Sequence, residues 1–525
     1  MTSRSADAPG DRPRPAPAHA ALATKRDLVL LWAVAVVAAA VLGTHGMAYW
    51  DSGDYVRQAL RVQPSGLLLG RPLFLFVSRA VADLALRLGA DAASVEPVLR
   101  WFWTAVSALA PPTLAVVVGK LGMGRAAALA AGVTLAVAPS FAHTAHQVLT
   151  DAPALALSLL ALAIAMPDDG VVTARRALLA GVVLSFAIAT RETAAVQAIA
   201  LAALLAPRRA HVALALAAVA VGMTVLIVIA KREETMLGWI LAMARSSEKH
   251  PLSLRDLGLS IGWLLALGPL PVVVGVIEVL GFTRRRWSER LSRPTRISLV
   301  PVAERDTLSD PSFAKLRAIV APSAVATALL VLYPDGSFSP RYLLATGPIA
   351  FLILAAPRVS TMLQGKARVL TALAIVFPLA VAPLTTATSD SLARRADAVH
   401  ARMAVIPDRA LVAPGHVCPA IGAWLAADAG AALHRTGADL PPEPFELLCP
   451  GWSWPGDAWL LARRLDRARC FGRTVLLDAH DDAWLGTREQ DAKADVRAYV
   501  ARGDGREELG WTRFEPLPFD DARCR

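Results

Sequence analysis

Apolar runs of about 17 to 25 residues recur along this chain, and each is long enough for a helix to cross the hydrocarbon core of a bilayer. A lipid-embedded backbone must satisfy its own hydrogen bonds, so such runs fold as helices. Hydrophobic residues make up 55% of the 525 residues and charged residues only 18%. The sequence therefore predicts an α-helical polytopic membrane protein. The predicted spans, several of which are shorter and rich in Ala, are 28–44, 97–118, 126–142, 153–166, 176–190, 193–206, 210–230, 258–281, 316–333, 341–356 and 368–386.

The formal net charge of +11 reports membrane topology rather than nucleic-acid binding. The basic residues fall in short loops between apolar spans, and no basic stripe interleaved with aromatic residues is present. Residues 1–27 are rich in Ala, Pro and Arg, which predicts a disordered cytoplasmic tail ahead of an uncleaved first span. Lys25 and Arg26 then hold the N-terminus inside.

The assignment of segment 66–87 determines on which side of the membrane each later loop is predicted to lie. Its charged residues Arg71, Arg79, Asp83 and Arg87 share one helical face, which favours an amphipathic juxtamembrane helix in the first outer loop, 45–95, over another span. With that assignment, eleven spans place the basic loops inside, and the C-terminus lies outside. The apolar region as a whole runs from 28 to 387.

Residues 388–525 are more polar and predict a small soluble α/β domain on the outer side. A strand at 410–414 leads into a helix from Cys418, and a helix at 457–469 leads to a strand at 474–478. All four cysteines lie in this region, an even number that suits disulfides in an oxidising compartment. They are Cys418, Cys449, Cys470 and Cys524.

Four outer loops collect acids and arginines on one surface. Asp51 and Asp54 stand just beyond the first span, and the segment 143–151 carries His146 and Asp151. The other two places, each next to a predicted span, are Arg191 with Glu192 and the loop 333–342, which ends in Arg341 and Tyr342.

These motifs resemble the GT-C superfamily of polytopic glycosyltransferases over roughly residues 28–386. The resemblance rests on an acidic motif in the first outer loop, 51–54, and an amphipathic helix after it. It also rests on a second Asp, Asp151, before a later span and on the pair Arg341-Tyr342 entering a late span. The sequence Asp-Ser-Gly-Asp is similar to the Asp-Ser-Gly-Glu motif of the protein O-mannosyltransferase branch. The C-terminal outer domain is similar in layout to the aminoarabinose transferase branch.

The resemblance implies transfer of a sugar from a polyprenyl-phosphate donor to an acceptor hydroxyl on the outer face. Asp51 is then the expected base, with Asp54 as alternate base or orienting partner. Arg341, beside Tyr342, is the first candidate for the donor phosphate, because a guanidinium can hold phosphate through two parallel hydrogen bonds. The remaining candidates are Arg191 and Arg71 for the phosphate, and Asp151, His146 and Glu192 as accessory residues.

Each candidate also has a structural interpretation. Asp51 and Asp54 suit the cap of a helix starting near Tyr55, and Asp151 suits a cap before Ala152-Pro153. Arg191 and Glu192 suit an ion pair at a turn, and Arg341 suits an interfacial anchor. His143 and His146 with Asp151 have the residue types of a metal site, but imidazoles near a helix end are more often satisfied by hydrogen bonds. Mg or Mn stays open as a cofactor because some members of the superfamily use a divalent cation.

Two other classes of protein share these features. A lipid-linked sugar flippase or secondary transporter also places ionisable residues along a membrane pathway. An O-antigen ligase-type transferase shares the donor chemistry but usually depends on a long late outer loop. The acceptor, whether glycan, lipid or protein, stays open. The composition, rich in Ala and Arg, favours a bacterial inner membrane with a periplasmic C-terminal domain.

Overall fold

The computed structural model describes most of the chain as helices. The residues described are 23–43, 50–61, 71–167, 171–229, 254–266, 272–277, 311–332, 344, 347–364, 394–436, 444–449, 458–478 and 487–524. The helices before the C-terminal region are α1 (Lys25–Leu42), α2 (Trp50–Arg61), α3 (Pro72–Arg87), α4 (Ala92–Ser107), α5 (Ala110–Lys120), α6 (Gly124–Ala136), α7 (Pro139–Ala145), α8 (Asp151–Ala165), α9 (Ala174–Thr190), α10 (Val196–Leu205), α11 (Arg209–Ile229), α12 (Leu254–Leu265), α13 (Pro311–Leu332) and α14 (Gly347–Gln364).

Local sequence signals account for where these helices begin and break. Thr24 and Asp27 form a capping box at the start of α1, in which the Thr24 hydroxyl accepts from the Asp27 amide at 3.2 Å. Asp27 also pairs with Arg125 of α6 at 2.9 Å, which ties the starts of two helices together. Pro139 opens α7, and the α6–α7 pair bends by 61° at this break.

Helices occupy the positions predicted for the first ten spans, while 368–386 lies outside the described residues. Within the described part, two helical stretches are long and apolar enough to cross a membrane, Ala92–Lys120 and Arg209–Val228, or three if the bent α6–α7 pair is one span. The prediction of several apolar helices is confirmed. The number of crossings and their direction stay predictions.

Helix α3 matches the amphipathic helix predicted at 66–87. Arg79 pairs with Asp83 one turn later at 2.8 Å, and it also donates to the Ala59 carbonyl of α2 at 3.2 Å. Phe74 and Ala82 face the protein interior. The helix therefore exists and is bound to α2, and its position at the membrane interface stays a prediction.

The C-terminal region folds around a small five-stranded sheet, as predicted. The strand order is β2-β1-β3-β5-β4, with β1 parallel to both β2 and β3, and β5 antiparallel to β3 and β4. The strands are β1 (Leu411–Ala413), β2 (Glu446–Leu447), β3 (Val475–Leu477), β4 (Arg506–Glu508) and β5 (Trp511–Phe514), and the helices are α15 (Cys418–Thr436), α16 (Ala458–Cys470) and α17 (Thr487–Val500).

Alternate side chains of the central strands point to opposite faces of this sheet. Val412 and Leu476 pack in the cluster that contains α2 and α15. Leu411 and Val475 pack with α16 and α17 on the other side. The sheet thus presents one face, through α15, to the helical part of the chain. The predicted strand-to-helix and helix-to-strand units are both confirmed.

Two disulfides fix this domain. Cys418 at the start of α15 is bonded to Cys449 just after β2, and Cys470 at the end of α16 is bonded to Cys524. Four cysteines allow three pairings, and the structure selects one of them.

This pairing is directly testable. Digestion of the purified protein under non-reducing conditions should yield the linked peptides Cys418–Cys449 and Cys470–Cys524 by mass spectrometry. Reduction before digestion is the control and should remove both. A Cys449–Cys470 link would contradict the fold of the domain.

Candidate functional site

Asp51 and Asp54, the two acids of the predicted first outer loop, lie inside helix α2. The helix begins at Trp50, so the interpretation that Asp51 and Asp54 cap a helix starting near Tyr55 is wrong. Asp51 lies in the first turn and Asp54 one turn further on the same face. Asp51 is half-buried, whereas Asp54 is fully buried and accepts a hydrogen bond from Gln58 Nε2 at 2.7 Å. The two carboxylates therefore differ in accessibility.

Helix α2 contacts the polar segment that precedes α8. The Ser52 hydroxyl donates to Gln147 Oε1 at 3.3 Å, and the Tyr55 and Thr150 hydroxyls share a hydrogen bond at 3.5 Å. The structure thus brings together two of the four outer segments that the sequence singled out.

Next to this contact, Arg71, Thr150, Asp151, Arg191 and Glu192 form what we call the polar cluster. Arg191 Nε lies 3.4 Å from Asp151 Oδ1 and 3.9 Å from Glu192 Oε1, and its Nη1 donates to the Thr150 hydroxyl at 3.1 Å. Arg71 donates to both oxygens of Glu192, from Nε at 3.2 Å and from Nη2 at 3.1 Å. Four predicted site residues therefore share one ion-pair network.

Burial of these charged side chains is energetically costly unless each one is paired. Arg191 and Asp151 are both fully buried, and a buried charge is tolerated only when it is paired and hydrogen-bonded. Arg191 directly follows α9 and pairs with Asp151, the first residue of α8, so the ion pair joins the end of one helix to the start of the other. Thr150 occupies the cap position, so the cap predicted at Asp151 lies one residue earlier.

Glu192 opens a short 3₁₀ turn between the predicted spans 176–190 and 193–206, and its side chain is 22% exposed. Burial raises the pKa of this carboxyl, but the Arg71 and Arg191 guanidiniums outweigh burial and hold the pKa at about 2. Glu192 is thus the anion that the two arginines share, and the predicted ion pair at this turn is present as part of the larger cluster.

Aromatic residues that the sequence analysis did not select line this region. The Arg71 guanidinium lies 5.4 Å from the centre of the Tyr55 ring. Tyr55 meets Phe74 edge-on at 5.0 Å, and Phe74 stacks on Trp103 at 4.2 Å. Trp103 Nε1 in turn donates to the Ser78 hydroxyl at 2.9 Å. The only sequence signal was the aromatic character of single positions on α2, α3 and α4, which core packing explains equally well.

His146 is buried near the cluster but has local partners. Its Nδ1 lies 3.1 Å from the Thr104 hydroxyl, and its ring meets the Trp101 ring edge-on at 4.9 Å. Among the described residues, no group of three His, Cys, Asp or Glu side chains is placed to hold a metal ion. The Mg or Mn cofactor that the resemblance left open stays a prediction.

The loop 333–342 with Arg341 and Tyr342 lies outside the described residues. Their contribution to a phosphate site stays a prediction. The catalytic, phosphate-binding and accessory roles of the other candidates are also predictions, although the geometry shows which of these residues can act together.

The likeness to known proteins lies in the fold. No protein-family model matches the chain, and no curated protein matches it in sequence. Among solved structures, the crystal structure of ArnT from Cupriavidus metallidurans bound to undecaprenyl phosphate is similar over 94% of this chain and 99% of that chain. The TM-score is 0.52 and the sequence identity 12%. This likeness shows that the chain has an ArnT-like fold, as the resemblance implied.

The polar cluster predicts a specific pattern of stability. Arg191→Met leaves Asp151 buried without its cation and should destabilise the protein by about 3–5 kcal/mol. Adding Asp151→Leu removes the stranded charge, so the double variant should be more stable than Arg191→Met alone. Chemical or thermal unfolding of the purified protein measures both.

Arg125→Met is the matched control, because it breaks the pair with Asp27, in which the arginine is 49% exposed, and should change stability little. Equal effects of the Arg125 and Arg191 substitutions would contradict the interpretation of the cluster as a buried, interdependent network.

Proposed function

We propose that the chain is a membrane glycosyltransferase that transfers a sugar from a polyprenyl-phosphate donor to an acceptor hydroxyl on the outer face of the membrane. The observation that carries this proposal is the fold, which matches ArnT bound to undecaprenyl phosphate over nearly the whole length of both chains. The polar cluster beside helix α2, which carries Asp51, adds the chemical groups that such a reaction needs.

The acceptor hydroxyl needs a base because an alcohol is a weak nucleophile at neutral pH. Asp51 is the better candidate of the two acids on α2, since it is half-buried while Asp54 is fully buried and bound by Gln58. The acceptor oxygen bonds to the anomeric carbon as the bond from that carbon to the phosphate oxygen breaks. The acceptor proton passes to Asp51, and polyprenyl phosphate leaves. Asp54 binds Gln58 one turn later on α2 and helps to orient the helix.

The departing phosphate needs positive charge because its own charge grows as the glycosidic bond breaks. Arg71 is the candidate among the described residues, since it lies against Tyr55 on α2, the helix that carries Asp51. Arg191 is fully buried between Asp151 and Thr150, which suits a positioning role more than direct contact with a lipid. Arg341 and Tyr342 remain proposed partners of the phosphate from the predicted late outer loop.

An outer, periplasmic location of residues 388–525 and a bacterial inner-membrane location of the helices belong to the same proposal. The distribution of basic loops supports this orientation. The two disulfides support it independently, because such bonds persist in oxidising compartments. The proposed partners are the lipid-linked donor, surrounding lipids, and a glycan, lipid or protein acceptor.

Asp51→Asn tests the reaction and the base together. The protein in lipid nanodiscs should release polyprenyl phosphate from one member of a panel of radiolabelled polyprenyl-phosphate sugars. The variant should lower that release about 100-fold or more, which is the scale of general base catalysis.

Asp91→Asn is the matched control. Asp91 caps α4, and Asn caps a helix as well as Asp does, so this variant should keep the wild-type rate. Release that is equally fast in Asp51→Asn would contradict the assignment of the base. A folded wild type that binds these lipids and releases nothing from any donor would favour a flippase or transporter instead.

A further inference from the structure

Helix α2 is held from the side of the C-terminal domain by a backbone contact. Gly53, two residues after Asp51, is buried against the start of α15. A Cβ atom built on Gly53 would lie 2.5 Å from the carbonyl carbon of Pro419 and 2.6 Å from the amide nitrogen of Ala420. Real side chains do not approach backbone so closely, so α2 and α15 meet at this point because residue 53 has no side chain.

The surface that α2 meets is itself fixed in place. Pro419 and Ala420 follow Cys418, which the disulfide ties to Cys449. The chain reaches Cys418 from β1 through Gly415, whose φ of 69° lies in the left-handed region that favours glycine. On the partner side, the Leu448 amide donates to the Val412 carbonyl at 2.8 Å, which places Cys449 directly beside the sheet. The start of α15 is therefore held to the sheet twice, through the chain that leads from β1 and through the disulfide to Cys449 beside β2.

We propose that the C-terminal domain is part of the catalytic arrangement and that Gly53 is a positioning residue. The start of α15, fixed by the Cys418–Cys449 disulfide, sets the place of α2 and hence of Asp51. This inference rests on the proposed function for its catalytic consequence. Catalysis depends on placing reacting groups within about 1 Å of the productive geometry, so a shift of α2 at Gly53 reaches the base directly.

The alternative is that glycine at position 53 is merely tolerated. Glycine in a helix interior is intrinsically less favourable than alanine. If α2 had no close neighbour here, Gly53→Ala would stabilise the helix and leave the rate unchanged or higher. The contact with Pro419 predicts instead that Gly53→Ala displaces α2 and lowers the rate, so the substitution distinguishes the two explanations.

The experiment compares Gly53→Ala with Gly430→Ala in nanodiscs. Gly430 lies on the same helix pair, but a Cβ there meets only Leu86 at 3.4 Å and Leu60 at 3.6 Å, which is ordinary contact. Gly53→Ala should lower kcat for polyprenyl phosphate release at least about 10-fold while the affinity for undecaprenyl phosphate stays within about 2-fold. Gly430→Ala should match wild type in both.

A second measurement does not depend on activity or on one variant. Amide hydrogen exchange of 50–61 should be faster in Gly53→Ala, and also in the double variant Cys418→Ser with Cys449→Ser, than in wild type. Exchange in the spans away from α2 should not change, which shows that the variants are folded.

Wild-type kcat and wild-type exchange of α2 in Gly53→Ala would overturn the inference. An equal loss of kcat and of lipid affinity would also overturn it, because it would indicate general disruption rather than displacement of the base. A wild type that releases nothing from any donor contradicts the proposed function. The exchange data then still decide whether α15 holds α2 through Gly53.

Discussion

The buried ion pair between Arg191 and Asp151 is the interaction on which the geometry of the site depends. Both side chains are withdrawn from water inside an apolar helical bundle, so each requires the other. Through Arg191 the pair extends to Thr150 and Glu192, and through Glu192 to Arg71. Three segments that are distant in sequence, at 71, 150–151 and 191–192, thus hold one another in place.

Helix α2 is the element that joins this network to the C-terminal domain. On one side, Tyr55 reaches Thr150 and lies against Arg71. On the other side, Gly53 meets the start of α15. Asp51 therefore lies on a helix that is fixed by polar contacts within the bundle and by backbone packing against the C-terminal domain. A helix of twelve residues with a half-buried acid gains its order from these neighbours rather than from its own propensity.

The sequence predicted the elements better than their contacts. Apolar run lengths located the helices, and short apolar runs at 410–414 and 474–478 located two strands, because both signals are local. Charge on the outer loops selected Arg71, Asp151, Arg191 and Glu192. The pairing of Arg71 with Glu192 joins residues 121 apart and depends on tertiary packing, which no local pattern encodes.

The same reason explains the corrections. Helix α2 starts at Trp50 rather than near Tyr55, and its first turns pack against α15 at Gly53, a contact that the local sequence does not reveal. The disulfide pairing and the aromatic contacts of Tyr55, Phe74 and Trp103 also became visible only in three dimensions.

The most direct test of this account is a cryo-electron microscopy structure of the protein in nanodiscs with undecaprenyl phosphate added. The account predicts that the lipid phosphate lies beside α2, about 3 Å from a guanidinium of Arg71 or Arg341, with Asp51 facing the same space. A phosphate bound at a site remote from both α2 and the polar cluster would contradict it.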